Sequence, residues 1–221
     1  MSTITAMIFI VLLAIWRLYT ILPSKKPQSQ RSSAHVCTIA VFLGSGGHTS
    51  EALALVSALD FRRYNRRIYI VSQGDNLSRQ KAITLERSKE PSPQEKSYSI
   101  LKIPRARRVG QTLLTTPFSA FLSLRACIYH LSFLPLAKDQ RFADVLILNG
   151  PGTCFVLCFT IYLNKFFGLQ APLVIYVESF ARVKSLSLSG KLIRPLADRF
   201  ILQWPEPRDH AQRRNRNTWL V

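Results

Sequence analysis

The chain opens on an almost unbroken apolar run, Ile4 to Leu22, interrupted only by Arg17. About 20 such residues span bilayer hydrocarbon as a helix, so residues 1–23 are expected to form a membrane anchor. Its first residues, Met1-Ser2-Thr3-Ile4-Thr5, carry no basic side chain, whereas Lys25, Lys26 and Arg31 follow the run among Pro23 and Pro27. That polarity fits an uncleaved anchor better than a secretory leader. The positive-inside bias places the body of the protein in the cytosol, and Trp16 and Tyr19 suit the interface at that end. Residues 24–35, rich in Ser, Gln and Pro, read as a linker.

The pattern then changes to short apolar, β-branched runs separated by helical spacings. Val36–Leu43 has the continuous apolar character of a buried parallel strand, and Thr49–Leu59 carries Leu53, Val56 and Leu59 on one helical face. Further strands are expected at Ile68–Val71, Tyr98–Ile103, Val145–Leu148, Leu173–Val177 and Phe200–Leu202. Asp75 is placed to cap a helix through the eighties, and Ser88–Ser97 reads as a polar loop. Leu113–Leu136 is a long apolar helical stretch, begun or bent at Pro117 and closed near Pro135, and Cys154–Phe167 is an apolar helix. The former is long enough to span, but Arg125, His130 and the strand–helix order favour a surface or core helix. Strands alternating with helices predict an α/β fold, a Rossmann-like doubly wound parallel sheet over residues 36–221.

Composition narrows the chemistry. At 221 residues the chain holds one such domain after the anchor, and a formal net charge of +18 calls for an acidic partner. Phosphate ligands and anionic lipid fit; no nucleic-acid motif is present, so nucleic acid is not an expected partner. Cys37, Cys127, Cys154 and Cys158 lie in apolar stretches without a Cys-x-x-Cys pair or adjacent His or acidic residues. They read as reduced, buried thiols, with no metal and no cofactor expected.

Two turns stand out. Gly44-Ser45-Gly46-Gly47-His48-Thr49 links a strand to a helix, where glycines allow close backbone approach and the helix amides favour an anion such as phosphate. It lacks the Gly-Lys-Ser/Thr of a Walker A loop. It also places Thr49 where a dinucleotide fingerprint needs its third glycine. A purely structural tight turn is the alternative. Asn149-Gly150-Pro151-Gly152-Thr153 is a second such turn, either a ligand contact or an ordinary Gly/Pro connection. His48 at a helix start suits a general base held neutral, or simple surface polarity. Arg105, Arg107 and Arg108, after the third strand, are placed to hold a diphosphate, grip lipid headgroups or solvate a loop.

These turns, together with Tyr176-Val177-Glu178-Ser179-Phe180-Ala181-Arg182-Val183-Lys184-Ser185-Leu186-Ser187, resemble a known family. So do Ile103-Pro104-Arg105, Leu196-Ala197-Asp198-Arg199-Phe200 and Gln203-Trp204-Pro205-Glu206. Over about Val36 to Glu206 they are similar to the eukaryotic membrane-anchoring subunit of the UDP-N-acetylglucosamine transferase of dolichol-linked oligosaccharide synthesis. The resemblance implies the acceptor-binding half of a GT-B glycosyltransferase on the endoplasmic reticulum membrane, akin to the N-terminal half of the bacterial lipid II enzyme. A separate soluble subunit would hold the nucleotide sugar, and the acceptor would be N-acetylglucosaminyl-diphospho-dolichol. The acceptor diphosphate would then lie by Gly44, Ser45, Gly46, Gly47, Thr49, Arg105, Asn149, Gly150, Gly152, Thr153 and Arg182. His48 would sit near the acceptor hydroxyl as base, with Glu178 contacting ligand or orienting Arg182. Leu220 and Val221 would dock the partner, although the chain lacks the Tyr-Leu-Gly-like ending usual in the family. A scaffold that recruits the soluble subunit without supplying a reactive group is the alternative.

Overall fold

The computed structural model describes residues 3–23, 36–89, 97–108, 110–112, 114–150 and 152–204. The expected linker at 24–35, Pro151, and the docking residues Leu220 and Val221 lie outside the described residues.

Six strands form one wholly parallel sheet: β1 (Thr38–Leu43), β2 (Arg66–Ser72), β3 (Tyr98–Ile103), β4 (Val145–Asn149), β5 (Leu173–Val177) and β6 (Arg199–Ile201). Their spatial order is β3-β2-β1-β4-β5-β6, the doubly wound arrangement. The central strands read as continuous apolar runs because both sides are covered. Ile39, Val41 and Leu43 point to one face of β1, Ala40 and Phe42 to the other, as the two-residue period requires. The first face packs beneath α2 (Gly47–Ser57) and α3 (Asn76–Lys89). The second is covered by α4 (Thr116–Ile128), α6 (Thr153–Phe166) and α7 (Leu188–Ile193). Asp75 caps α3 as expected, its Oδ1 accepting from Ser78 N at 3.1 Å.

Three departures from the sequence expectation have physical causes. Strand β2 begins at Arg66, because the Arg67 side chain is buried in a paired state that its polarity conceals. Its guanidinium forks onto Glu86, with Nε and Nη2 each 2.8 Å from a carboxylate oxygen, and Tyr69 OH donates to Oε1 at 2.6 Å. The long helical stretch closes near Pro135 as expected, at Ala137, but it is not one plain α-helix. Helix α4 continues through a π turn (Tyr129–Phe133) into α5 (Leu134–Ala137). Proline lacks the N–H that would reach the Leu131 carbonyl four residues back. Asn164 Nδ2 on α6 donates to that carbonyl instead, at 3.2 Å, while Ser132 Oγ donates to Asn164 Oδ1 at 2.6 Å. Helix α7 is less than two turns long, too short for a periodic signal.

The N-terminal helix α1 (Thr3–Ile21) and the continuous stretch Thr116–Ala137 are both long and apolar enough to cross a bilayer. Only α1 is free to do so. The α4–α5 stretch is the crossover from β3 to β4 and buries Ser123, Cys127 and Leu131 against the domain. The last turn of α1 is joined to α6. Gly168, at φ 73°, ends α6 in a left-handed turn, with Gly168 N and Leu169 N bonding back to the Lys165 and Asn164 carbonyls. Arg17 completes that end: Nε donates to Phe166 O and Nη2 to Lys165 O, both at 2.9 Å. Ile21 is buried beside it, whereas Ile4 to Leu13 are largely exposed.

Candidate functional site

In an open parallel sheet, the crevice lies where neighbouring strands send their connections to opposite faces, at the carboxyl ends. Here that point falls between β1 and β4, whose last residues Leu43 and Asn149 are register partners. The two glycine turns singled out in the sequence therefore meet. Gly150 has φ 130°, and a Cβ there would lie 3.4 Å from His48 Cγ and 3.6 Å from Gly44 Cα. The positive φ favours glycine here, and a Cβ would make only ordinary contacts with the first turn.

The first turn presents backbone rather than side chains. Gly46 adopts φ 69° ahead of α2 and offers no side-chain cap, and a Cβ at Gly46 or Gly47 would meet nothing within 4 Å. Ser45, Gly46 and Gly47 are exposed at the start of an eleven-residue helix, where the first amides have no intrahelical partner. Thr49 is buried and turned inward: its hydroxyl donates to Gly44 O and lies 2.6 Å from Ser78 Oγ. Ser78 Oγ in turn donates to Asp75 Oδ2 at 2.8 Å, and Arg105 Nη2 approaches the same oxygen at 3.7 Å. Thus Arg105 stands beside the crevice, tethered to the first turn through three intervening side chains. Arg107 and Arg108 belong to an exposed loop closed by Gln111, which takes Arg108 N at 2.9 Å.

The second turn is mostly buried framework. Asn149 is fully buried, Gly150 is buried and Gly152 is exposed. Thr153 Oγ1 accepts from Ala106 N at 3.2 Å, fastening the arginine loop to the start of α6. His48, half-buried, has Nδ1 2.8 Å from Asn149 Oδ1. Asn149 Nδ2 donates to Glu51 Oε2 at 2.8 Å, and Ser179 Oγ donates to Glu51 Oε1 at 3.0 Å. Glu51, Ser78, Asp75 and Ser179 were not among the sequence-derived site residues. Asp75 was read only as the cap of α3, whereas Glu51 and Ser179 have no local mark because their partners lie on other elements.

Glu178 ends β5 with a carboxylate only 2% exposed. It accepts from Ser179 N at 3.1 Å and from Ser187 N and Oγ at 3.0 Å each. Ser187 caps α7 by accepting from Gly190 N at 2.9 Å, and a Cβ at Gly190 would run into Glu178 Oε2. Arg182 is exposed, and among the described residues no ion pair joins it to Glu178. Tyr176, whose phenol burial pushes upward from its ordinary range, reaches Gly150 O at 3.4 Å and Ser187 Oγ at 3.3 Å. Among the described residues no group of three or more His, Cys, Asp or Glu converges to hold a metal.

Fold and crevice together define a class: a Rossmann-like α/β domain with two glycine turns meeting at its switch point and an attached apolar helix of membrane-spanning length. The sequence model described as "Oligosaccharide biosynthesis protein Alg14 like" matches residues 39–220. The chain belongs to this Alg14-like family. It is 50% identical over 210 residues to a Cryptococcus neoformans protein named UDP-N-acetylglucosamine transferase subunit ALG14, covering 94% of this chain and 91% of that one. It is 50% identical over 166 residues to the Schizosaccharomyces pombe protein of the same name, covering 75% of each. The Mus musculus protein so named is 38% identical over 200 residues, covering 89% of this chain and 87% of its own length.

Proposed function

We propose that this chain is the membrane-anchored, acceptor-binding subunit of a UDP-N-acetylglucosamine transferase. In this reading it adds the second N-acetylglucosamine to N-acetylglucosaminyl-diphospho-dolichol at the cytosolic face of the endoplasmic reticulum. The observation that carries it is the switch-point crevice, where the exposed Gly46 and Gly47 lie next to a half-exposed imidazole, His48. The names of the relatives support a part in transfer from UDP-N-acetylglucosamine, and helix α1 supports the anchoring.

The acceptor diphosphate sits on the amides of Ser45, Gly46 and Gly47, with Arg105 and Arg182 offering charge-assisted hydrogen bonds. His48 takes the proton of the acceptor hydroxyl as that oxygen bonds to the anomeric carbon of the donor sugar. The bond from that carbon to uridine diphosphate breaks, and the soluble partner subunit holds the leaving group. Thr49, Thr153, Asn149 and Glu178 act from beneath, by fixing the turns. The exposed apolar side of α4 lies against the bilayer beside the anchor, keeping the crevice near lipid-borne substrate. Leu220 and Val221 contribute to docking the soluble subunit.

A scaffold without a reactive group is the second reading, favoured by the engagement of His48 Nδ1 with buried Asn149, as in a structural histidine. Reconstitution in membranes decides between them, with transfer of labelled N-acetylglucosamine to a diphospho-lipid acceptor as the readout. The expected result is activity only when both subunits are present, and a loss of about 100-fold for His48→Ala with recruitment intact. Near-normal turnover in that variant would establish the scaffold; transfer by this chain alone would overturn the division between subunits.

A further inference from the structure

We propose that Glu51 is a positioning residue that, acting through Asn149, holds the His48 imidazole in one tautomer: proton on Nδ1, lone pair on Nε2. The inference rests on the reading of His48 as the base, and supplies what that reading lacks, a reason for the ring to offer a lone pair to the crevice.

The argument is one of donors and acceptors. An asparagine amide can be turned either way, so the contact of Asn149 with His48 does not by itself say which ring nitrogen carries hydrogen. Glu51 removes the choice. An ionised carboxylate only accepts, and Oε2 lies 2.8 Å from the Asn149 amide nitrogen. The donor end of Asn149 therefore faces Glu51, and its acceptor end faces His48 Nδ1 at 2.8 Å. An acceptor at that distance requires Nδ1–H. A neutral imidazole has one N–H, so Nε2 holds the lone pair, and among the described residues Nε2 makes no hydrogen bond.

The relay is held at every joint. Glu51 follows His48 by three residues on the same face of α2, so both reach toward β4 together. Ser179, at the end of β5, donates to the other carboxylate oxygen at 3.0 Å and stops its rotation. Asn149 is 0% exposed, so no water competes for its amide. A neutral amide between carboxylate and ring transmits orientation without placing a full negative charge against the imidazole. This differs from a carboxylate bonded directly to a catalytic histidine. It also leaves the amides at the start of α2 free to attract the acceptor phosphates.

The test is Glu51→Gln in the full chain, reconstituted with the soluble subunit. Glutamine preserves size and can donate, so Asn149 is free to turn over, present its NH2 to Nδ1 and transfer the ring proton to Nε2. Nitrogen-15 shifts of labelled His48 read this directly. The wild type is expected to show Nδ1 protonated and Nε2 bare, and Glu51→Gln a reversed or mixed state. Turnover should drop at least tenfold with the KM for the diphospho-lipid acceptor within about twofold, since orientation rather than binding is lost. Glu51→Ala is the second variant. Leaving Asn149 uncommitted, it should give a tautomer mixture and a smaller loss, and it keeps the question answerable if the Gln variant misfolds. An unchanged tautomer in a folded variant overturns the proposal, whatever the rate. A reversed tautomer with unchanged turnover, alongside an active His48→Ala, removes its catalytic meaning together with the base reading.

Discussion

The two layers that cover the sheet are built on opposite polarities. Beneath α2 and α3 the core includes a buried ion pair, Arg67 and Glu86, at 1% and 2% exposure. The outer side of α3 is charged, with Arg79, Lys81, Arg87 and Lys89 exposed. Beneath α4 and α6 the core is mostly apolar, with buried Cys127, Cys154 and Cys158 beside hydrogen-bonded Thr160 and Asn164; burial pushes the Cys158 thiol up to about 12. Yet the outer side of the α4–α5 stretch is apolar as well, exposing Phe118, Phe121, Phe133 and Leu136. One exposed Leu77 on α3 is ordinary; a row of aromatics along α4 is not. Helix α1 joins the apolar layer, through Arg17 on the end of α6. The domain is thus sided, with a charged layer on one face and an apolar layer joined to α1 on the other.

The sharpest way to break this contrast is to remove charge from the buried pair. In Glu86→Ala, Arg67 keeps its guanidinium at 1% exposure with no carboxylate, and Tyr69 OH loses its acceptor. Breaking a buried pair from one side costs about 3–5 kcal/mol. Thermal unfolding of the detergent-solubilised chain should show a large drop in midpoint. Glu86→Gln should lose less, because its amide oxygen still accepts. A melt within 2 °C of wild type for Glu86→Ala would show that Arg67 finds solvent and that this layer is less closed than described.

What could be read from sequence follows the same division. The central strands, buried on both sides, announce themselves as apolar runs, whereas the edge strands β3 and β6, only partly buried, were legible from shorter apolar segments in the strand–helix order. The two glycine turns fell at the switch point because both follow central strands. Polar residues that complete one another across the fold were not legible. Glu51 looks like any acidic residue at a helix start, and its meaning lies with Asn149, 98 residues away. Arg67 made the start of β2 look like loop. The π turn before Pro135 was hidden because Asn164, which satisfies the Leu131 carbonyl, sits on another helix. Arg17 read as a flaw in the anchor, whereas its guanidinium finishes α6.

Arg17 supplies the next and smaller test. Its two hydrogen bonds join a cation to the carbonyl end of a helix, where the charge is also favoured by the peptide dipoles. The site is half-buried, so Arg17→Ala is expected to cost about 1–2 kcal/mol. The loss should be local. Amide exchange at Phe167 and Leu169 should accelerate while β1 and β4 remain protected. Arg17→Lys should recover only part, since an ammonium cannot match the two-pronged geometry. Uniform exchange across the domain would mean that α1 is integral to the core; no change would mean that the helix is only tethered.

The smallest effect on stability should accompany the clearest difference in surroundings. Phe121→Cys on α4 and Leu77→Cys on α3 both alter exposed side chains, at 63% and 60%, and each should shift folding stability by less than about 0.5 kcal/mol. The buried thiols are raised well out of the reactive range, so with Cys37→Ser in place a fluorescent maleimide at pH 7 should mark only the introduced cysteine. In bilayers, a probe at position 121 should be quenched by lipids carrying a nitroxide and spared by aqueous iodide. A probe at 77 should behave in the opposite way. Equal response to iodide at both positions would leave the aromatic row of α4 in water and remove the sidedness on which the bilayer placement rests. The alternative occupant of α4 is the soluble subunit, and the same pair of probes tells the cases apart: protection at 121 that appears only when that subunit is added assigns the apolar row to the protein partner.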